Sequence, residues 1–182
     1  MTDPLDDTFA DRVEEKIRDL MLASADLDEL AAIFKGDPWL VPAQWHPFAL
    51  VALLVEQDPA KERGFESETG PVTYWKYEGV VQIETLGRDA SGLTPVARKA
   101  DVPSYKLTRR LVQGAKRAIL AWCGPDGGIP DGNRIISADG KESSLLLVVG
   151  RIENGLAVQA RSENVTNTGS FPFTLFTRRE DF

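Results

Sequence analysis

The segment from Thr73 to Leu86 constrains the fold more than any other part of this sequence, because its side chains alternate with a period of two. One face of the predicted strand is mostly apolar and contains Trp75, Tyr77, Gly79, Val81 and Ile83. The other face is mostly charged and contains Lys76, Glu78, Gln82 and Glu84, with Tyr74 and Val80 among them. A fully extended strand of this length spans roughly 40 Å, so we expect part of it to project beyond the core.

The apolar segment before it predicts a second strand that pairs with the first. Phe48 to Val55 is continuously apolar and lies between Pro47 and Pro59, which favours a strand covered on both faces over a buried helix. Residues 57–71 are charged and contain glycine, so we interpret them as the exposed connection of an antiparallel hairpin.

Two main helices are predicted from apolar residues at spacings of three and four. The first covers residues 7–23, and the second extends from Ser104 to Trp122. The buried stripe of the second helix is predicted to contain Leu107, Leu111, Ala115, Ala118, Ile119 and Trp122. Between the two helices, residues 26–34 (DLDELAAIF) predict a short helical turn with Asp26 or Asp28 as its cap.

The last third of the sequence predicts turns and strands. Residues 124–144 are rich in turn-forming residues and predict an excursion outside the core. Residues 145–163 predict a hairpin with Asn154-Gly155 as its tight turn, and residues 171–180 predict a final strand. The expected fold is α+β: one domain over residues 1–182, with a mostly antiparallel twisted sheet and two main helices packed on one face. Loop excursions are expected at about 57–71, 87–103 and 124–144.

Charge balance and cysteine content argue against several functional classes. The net charge of −7 argues against general nucleic-acid binding, which needs an excess of Lys and Arg. No apolar run approaches the roughly 20 residues that cross a bilayer, and the acidic N-terminus lacks a secretory signal, so we expect a soluble protein. The single cysteine, Cys123, excludes a disulfide within the chain.

Few residues are suited to acid–base or nucleophilic catalysis. The single histidine, His46, directly precedes a proline, which favours a structural role in extended backbone. Cys123 follows the second predicted helix at its C-terminal end, where the helix dipole disfavours a thiolate. We therefore interpret both residues as structural and predict that the protein is not an enzyme.

A calcium site is the one metal site that the sequence suggests. Its oxygen ligands would come from Asp126, Asp131, Asn133 and Asp139. Their spacing departs from the EF-hand pattern, and Asp-Gly pairs more often form turns. We therefore predict that the protein binds no metal and no cofactor.

Two charged surfaces remain as candidate subunit interfaces. The exposed side of the second predicted helix carries Lys106, Arg109, Arg110, Lys116 and Arg117. The outer face of the long strand carries Lys76, Glu78 and Glu84. Each set could contact a complementary surface of a neighbour. Alternatively, the cations form an ordinary solvated helix face, and the strand charges prevent unwanted edge pairing.

The order of these elements resembles that of the tail-terminator (tail-completion) proteins of long-tailed bacteriophages. The resemblance covers most of the chain and rests on the order and polarity of its elements. It comprises an N-terminal helix, HPFALVALLVEQD, a charged loop, YWKYEGVVQIETL, LTRRLVQGAKRAILAW, GLAVQARSENV and FPFTLFTRRE. Residues 123–144 and 26–34 are additions relative to the compact members of the family, which leaves a head-closure or minor tail protein as an alternative.

The resemblance implies a structural virion protein. Such proteins form a ring, usually of six subunits, that ends the growth of the tail tube and joins the tail to the head. The expected partners are further copies of the chain, the tail tube protein and the head–tail connector protein, with no membrane partner. DNA would pass through the ring without sequence-specific contact. The expected location is the tail or neck of a virion that assembles in the host cytoplasm.

Two other functions are compatible with the same residues. The chain could be a small-molecule-binding or enzymatic α+β domain, with a pocket lined by Trp75, Tyr77, Phe173 and Phe176. Aromatic residues at a period of two more often belong to a core. The chain could also be a bacterial adaptor that has no relation to phages.

Overall fold

The longest strand, β4 (Gly70–Leu86), lies between two antiparallel neighbours. It pairs with β2 (Phe48–Gln57) on one side, which confirms the predicted antiparallel hairpin. On the other side it pairs with β7 (Val165–Glu180), which confirms the predicted final strand and gives it a partner that the sequence did not predict. The start of β4 extends beyond β2 but stays paired with β7, so it does not project alone. The computed structural model describes residues 8–36, 45–57, 66–67, 70–86, 104–158 and 165–180.

The other strands of the described residues attach to these three. β1 (Ala32–Lys35) runs parallel to β2, and the short β3 (Glu66–Ser67) pairs with the start of β4. β5 (Glu142–Val149) and β6 (Glu153–Val158) follow each other along the side of β7 that faces away from β4. The sheet is therefore mostly antiparallel, as predicted.

Two helices, α1 (Phe9–Leu22) and α2 (Ser104–Leu120), pack against one face of this sheet and confirm the predicted α+β class. α1 begins with a capping box: Thr8 Oγ1 accepts a hydrogen bond from the Asp11 N–H (3.2 Å), and the Asp11 carboxylate accepts one from the Thr8 N–H (3.2 Å). Within the described residues, no helix has both the length and the apolar character that a membrane crossing requires.

The alternation along β4 decides which side chains face the helices. The inner face contributes Tyr77, Val81 and Ile83 to the core, together with Phe171, Phe173 and Leu175 from β7. The helices contribute Val13, Ile17, Met21, Leu107, Leu111, Ala115 and Ile119. Lys76, Glu78 and Glu84 lie on the opposite face, so the predicted division of the strand into an apolar and a charged face is confirmed.

Two close contacts hold α2 over β4 and β7. The buried hydroxyl groups of Thr85 and Thr108 form a hydrogen bond of 2.7 Å. Gly169 on β7 leaves no room for a side chain, because a Cβ there would lie 2.9 Å from Cγ2 of Val112. The helix therefore crosses the two central strands at a fixed position.

The predicted helical turn at residues 26–34 is wrong in its second half. Only Ala25–Leu27 form a short 3-10 helix, which begins after Ser24 and has no side-chain cap, whereas Ala32–Lys35 form β1. β2 offers an open edge to this segment, and β1 pairs with it in register from Ala32↔Phe48 onward. A partner that is distant in sequence has overridden the local helical preference.

The predicted hairpin with a turn at Asn154-Gly155 is also wrong. Both residues lie inside β6 and pair with Gly169 and Thr168 of β7. The break between β5 and β6 falls at Gly150, whose N–H donates to the Pro172 carbonyl (2.8 Å). β7 is long enough to pair with both strands, so the chain continues along it instead of turning back.

The predicted excursion at residues 124–144 is turn-rich and mostly exposed, but part of it packs against the core. Ile129 is buried with the other core residues, and its N–H donates to the Leu145 carbonyl (2.7 Å). The Leu147 N–H donates in turn to the Gly127 carbonyl (2.9 Å), so the segment lies along β5, which begins at Glu142. Residues 87–103 and most of residues 57–71 lie outside the part of the chain that the structure describes.

Gly79 provides a test of the packing between β4 and β7. A Cβ at this position would lie 2.7 Å from Cε1 of Phe173 and 2.8 Å from the Ala52 carbonyl oxygen. We expect Gly79→Ala to lower the free energy of unfolding by about 1–3 kcal/mol, because the buried ring or the backbone must move. The measurement is urea denaturation. Gly132→Ala is the control, since no atom lies within 4 Å of a Cβ there. Equal losses in the two variants would contradict the prediction.

Candidate interaction surfaces

The basic side of α2 is partly occupied by contacts within the chain. Arg110 forms an ion pair with Glu29, and Arg117 Nη2 lies 2.8 Å from Asp26 Oδ2. Lys116 Nζ donates to the Gly150 carbonyl oxygen (2.6 Å). Three of the predicted interface cations therefore hold neighbouring segments against the helix.

A glycine in α2 makes these ion pairs possible. At Gly114 a Cβ would lie 2.9 Å from Cβ of Asp26 and 3.3 Å from Cδ2 of Leu27, so the 3-10 helix at Ala25–Leu27 packs directly on the backbone of α2. This contact places Asp26 beside Arg117. The acidic residues at positions 26–29 are the sequence signal for this contact, but the sequence pattern predicts only a helical turn there.

The remaining cations of the surface lie near the start of α2. Lys106 and Arg109 are exposed, and neither forms an ion pair with a residue that the structure describes. Leu107 and Leu111 point toward the sheet, so Lys106 and Arg109 point away from it. We call these two cations the α2 cation pair.

The outer face of the sheet carries both charged and apolar side chains. Lys76 and Glu78 form an ion pair along β4, with 35% and 37% of their side chains exposed. Glu84 is more buried and lies 3.4 Å from His46 Nε2. The register places apolar side chains on the same face, among them Leu50, Val80, Val148 and Pro172. The face is therefore less polar than the sequence of β4 alone predicted.

These two surfaces lie on opposite sides of the domain. The helices cover the inner face of the sheet, and the α2 cation pair points away from it. Lys76, Glu78 and Val148 lie on the face that the helices leave uncovered, where 49% of Val148 is exposed. The two surfaces therefore face in opposite directions.

The structure separates His46 from Cys123. His46 is buried, packs edge-on against the ring of Phe48 (4.9 Å between centroids) and lies beside Glu84 on the outer face of the sheet. Cys123 follows the C-terminal end of α2 on the helical side, where its Sγ–H donates to the Leu120 carbonyl (3.4 Å). The two residues do not form a nucleophile–base pair in this arrangement.

The acidic residues of the predicted calcium loop are distributed over three separate turns. Asp126 accepts a hydrogen bond from the Gly128 N–H (3.1 Å), and Asp139 accepts one from the Lys141 N–H (3.1 Å). Asp131 forms an ion pair with Arg134 (2.9 Å). Among the described residues, no three or more His, Cys, Asp or Glu side chains are grouped so that they could hold a metal ion.

The four aromatic residues of the alternative pocket do not share a site. Tyr77 and Phe173 are buried in the core, 3% and 1% exposed, and Trp75 packs beside them on the inner face. Phe176 is paired with Lys76, so it lies on the outer face. These residues support the fold instead of lining one cavity.

A buried carboxylate that sequence reasoning missed lies at one end of the core. Glu142 Oε1 accepts hydrogen bonds from the Tyr77 hydroxyl (2.9 Å) and from Thr177 Oγ1 (2.6 Å). These bonds offset part of the cost of burying the carboxyl group. No signal in the sequence identifies it, because the residues come from three strands that are distant along the chain.

A shallow apolar groove borders β1. Its volume is about 380 Å³. It is lined by the end of α1, the 3-10 helix and the start of β1, including Met21, Leu22, Leu27, Leu30 and Ile33. Leu22 is 59% exposed at this groove. Apolar surface that remains exposed beside a sheet edge is suited to contact with another protein.

β1 is held to α1 by an ion pair. Lys35 Nζ lies 2.6 Å from Glu15 Oε2, and Arg18 Nη1 lies 2.9 Å from Glu15 Oε1. The hydrogen bond from Lys35 is the largest cause that lowers the pKa of the Glu15 carboxyl, with further contributions from the charges of both cations.

Neither a protein-family model nor a curated protein matches the sequence.

Glu15→Gln tests this ion pair. Because the pKa of Glu15 is lowered in the folded state, its stabilising effect is present above the ordinary pKa of 4.5 and is lost as the pH falls through the folded value. The partners are 41% and 36% exposed, so solvent screens the pair. We expect Glu15→Gln to lower the free energy of unfolding at neutral pH by about 0.2–1 kcal/mol. Urea denaturation at neutral pH and at successively lower pH measures the difference, which should shrink in acid. A difference that grows in acid would contradict the assignment.

Cys123 should react slowly with alkylating reagents. Burial raises the pKa of its thiol, with a smaller contribution from the negative charge of Asp126, so less thiolate is present at neutral pH. We expect iodoacetamide to modify Cys123 more slowly in the folded protein than in urea at the same pH. Mass spectrometry of quenched samples measures both rates. Equal rates would show that the fold neither shields the thiol from the reagent nor raises its pKa.

Proposed function

We propose that this protein is a structural subunit of a bacteriophage tail that forms a ring at the head-proximal end of the tail tube. In this role it ends the growth of the tube and joins the tail to the head connector, without catalysing a reaction. The support from the sequence is the resemblance in element order. The support from the structure is that the helix–hairpin–helix–strand order folds into one sheet with helices on a single face.

The observation that carries the proposal is the presence of two different surfaces on opposite sides of one domain. A ring of identical subunits needs a head-to-tail contact, in which one surface of each copy meets a different surface of the next. A tail terminator must also contact the tube on one side and the connector on the other. The α2 cation pair and the partly apolar outer face of the sheet differ in chemistry, as such contacts require.

The charge distribution is compatible with DNA passing through the ring. The net charge of −7 disfavours tight binding to phosphates, because such binding releases counterions only where Lys and Arg are in excess. Three cations of α2 are engaged within the chain, which reduces the basic surface further. DNA would therefore contact a surface that binds it weakly.

The direct test is assembly with the tail tube protein. We expect the purified chain, mixed with tube protein, to form rings visible by negative-stain electron microscopy and to limit tube length. Light scattering gives the mass of the complex. A chain that stays monomeric at high concentration and never binds tube ends would overturn the proposal.

Charge reversal of the α2 cation pair tests which surface is used. Lys106→Glu with Arg109→Glu should weaken assembly by at least about tenfold if this surface meets an acidic neighbour, since each reversal replaces attraction by repulsion. The melting temperature should not change, because both side chains are exposed and have no ion-pair partner among the described residues.

The matched control replaces the same two residues by glutamine. Lys106→Gln with Arg109→Gln removes the charges without reversing them and should give an intermediate loss of assembly. Sedimentation velocity over a range of protein and salt concentrations measures all three proteins. Identical assembly of the three would assign the cation pair to solvent and not to an interface.

A further inference from the structure

The outer strands at the two ends of the sheet differ in how far described residues cover their edges. At one end, β1 pairs only with β2 among the described residues. At the other end, β5 and β6 share the outer side of β7. An open strand edge exposes unpaired N–H and C=O groups, which are ready to pair with another strand.

The edge of β5 is covered by the chain itself, whereas that of β6 is not covered by any described residue. Residues 127–136 lie along β5, with bridges at Gly128↔Leu146 and Ile136↔Ser143. β6 pairs with β7 alone within the described part of the chain. Its residues Glu153–Val158 contain one charged side chain, Glu153, and no Lys or Pro, the residues that most commonly protect an exposed edge.

The outward backbone groups of β1 come from Ile33 and Lys35. The Gly36 N–H donates to the Val51 carbonyl (3.0 Å), so the alternation of a strand directs Phe34 toward β2 and its two neighbours away from it. The Lys35 ammonium group does not protect this edge from strand pairing, because it forms an ion pair with Glu15 of α1, with 2.6 Å between Lys35 Nζ and Glu15 Oε2. No residue that the structure describes therefore covers the edge of β1.

The groove beside β1 enlarges this surface. It has a volume of about 380 Å³ and is bordered by Ile33 of β1 and by Leu22, which is 59% exposed. A strand that paired with β1 would cover part of this apolar surface. Backbone hydrogen bonds and apolar burial would then act together, as they do when an added strand extends a sheet.

We propose that the β1 edge of one copy pairs with the β6 edge of the next copy, and that this contact joins neighbouring subunits of the assembly. The inference rests on the proposed function and specifies its lateral contact. Each copy carries both halves of the contact at opposite ends of one sheet, so the contact is head-to-tail and closes a ring if the rotation permits. The lengths are compatible: β1 has 4 residues and β6 has 6.

Hydrogen–deuterium exchange of the assembled and the dissociated protein tests this contact without mutation. We expect peptides that cover residues 31–36 and 151–158 to exchange at least about tenfold more slowly in the assembly, because new hydrogen bonds protect their outward amides. A peptide within β5 serves as the internal control, since its edge is already covered by residues 127–136 and its exchange should not change.

The outcomes separate this inference from the proposed function. An assembly that protects other surfaces and leaves β1 and β6 unchanged overturns the edge contact but not the ring. Protection of only one of the two edges overturns the pairing between copies and indicates a different protein at that edge. Failure to assemble at all, alone and with tube protein, overturns both.

A proline at the β1 edge gives an independent test. Lys35→Pro removes an outward N–H and should weaken assembly by about tenfold, the effect of one lost hydrogen bond with its partner left unpaired. Ala138→Pro is the matched control, because Ala138 lies in an exposed turn closed by the Gly140 N–H and the Ser137 carbonyl (3.0 Å). Lys35→Ala loses the same ion pair with Glu15 but keeps the backbone N–H, so it should assemble normally. Normal assembly of a folded Lys35→Pro protein, judged by its melting curve, would overturn the proposal; if that variant does not fold, the exchange measurement decides.

Discussion

The antiparallel pairing of β4 with β7 is the contact on which the rest of the structure depends. It continues without a break from Val72↔Glu180 to Leu86↔Thr166, well beyond the usual strand length of about 5–6 residues. β2 attaches to β4, β5 and β6 attach to β7, and α2 packs across both central strands. One long ladder therefore sets the register of the sheet, the position of the helices and the division between an inner and an outer face.

This division determines which charges are available to partners. On the helical side, the 3-10 helix packs against Gly114 and brings acidic side chains to Arg110 and Arg117, so part of the basic surface stabilises the fold. Lys106 and Arg109 lie nearer the start of α2 and stay exposed. The outer face of the sheet carries a local ion pair and exposed apolar groups. The helical side and the outer face of the sheet therefore differ in chemistry.

Patterns within a single element predicted the helices and strands that have a clear periodicity or a continuous apolar run. The period of two in β4, the apolar run of β2 and the helical stripes of α1 and α2 each predicted the observed element. The predictions failed at residues 26–34 and at Asn154-Gly155, where strands farther along the chain supply the hydrogen bonds. Residues 124–144 are turn-rich as predicted, but Ile129 packs in the core and bonds to the strand that follows. Lys106, Arg109, Arg110 and Arg117 are exposed and Lys116 is half-buried. The ion pairs of Arg110 and Arg117 depend on a turn that folds back over Gly114.

The sequence by itself determined the α+β class, the inner and outer faces of β4 and the polar side of α2, because alternation and helical spacing act within a single element. Only the tertiary structure decided that β1 joins the sheet, that β6 continues β5 along β7, and that Glu142 is buried against Tyr77. It also decided that residues 127–136 cover the edge of β5, whereas no described residue pairs with the outer edges of β1 and β6. These features depend on hydrogen bonds between residues far apart in the chain, and such bonds leave no periodic signal in either partner alone.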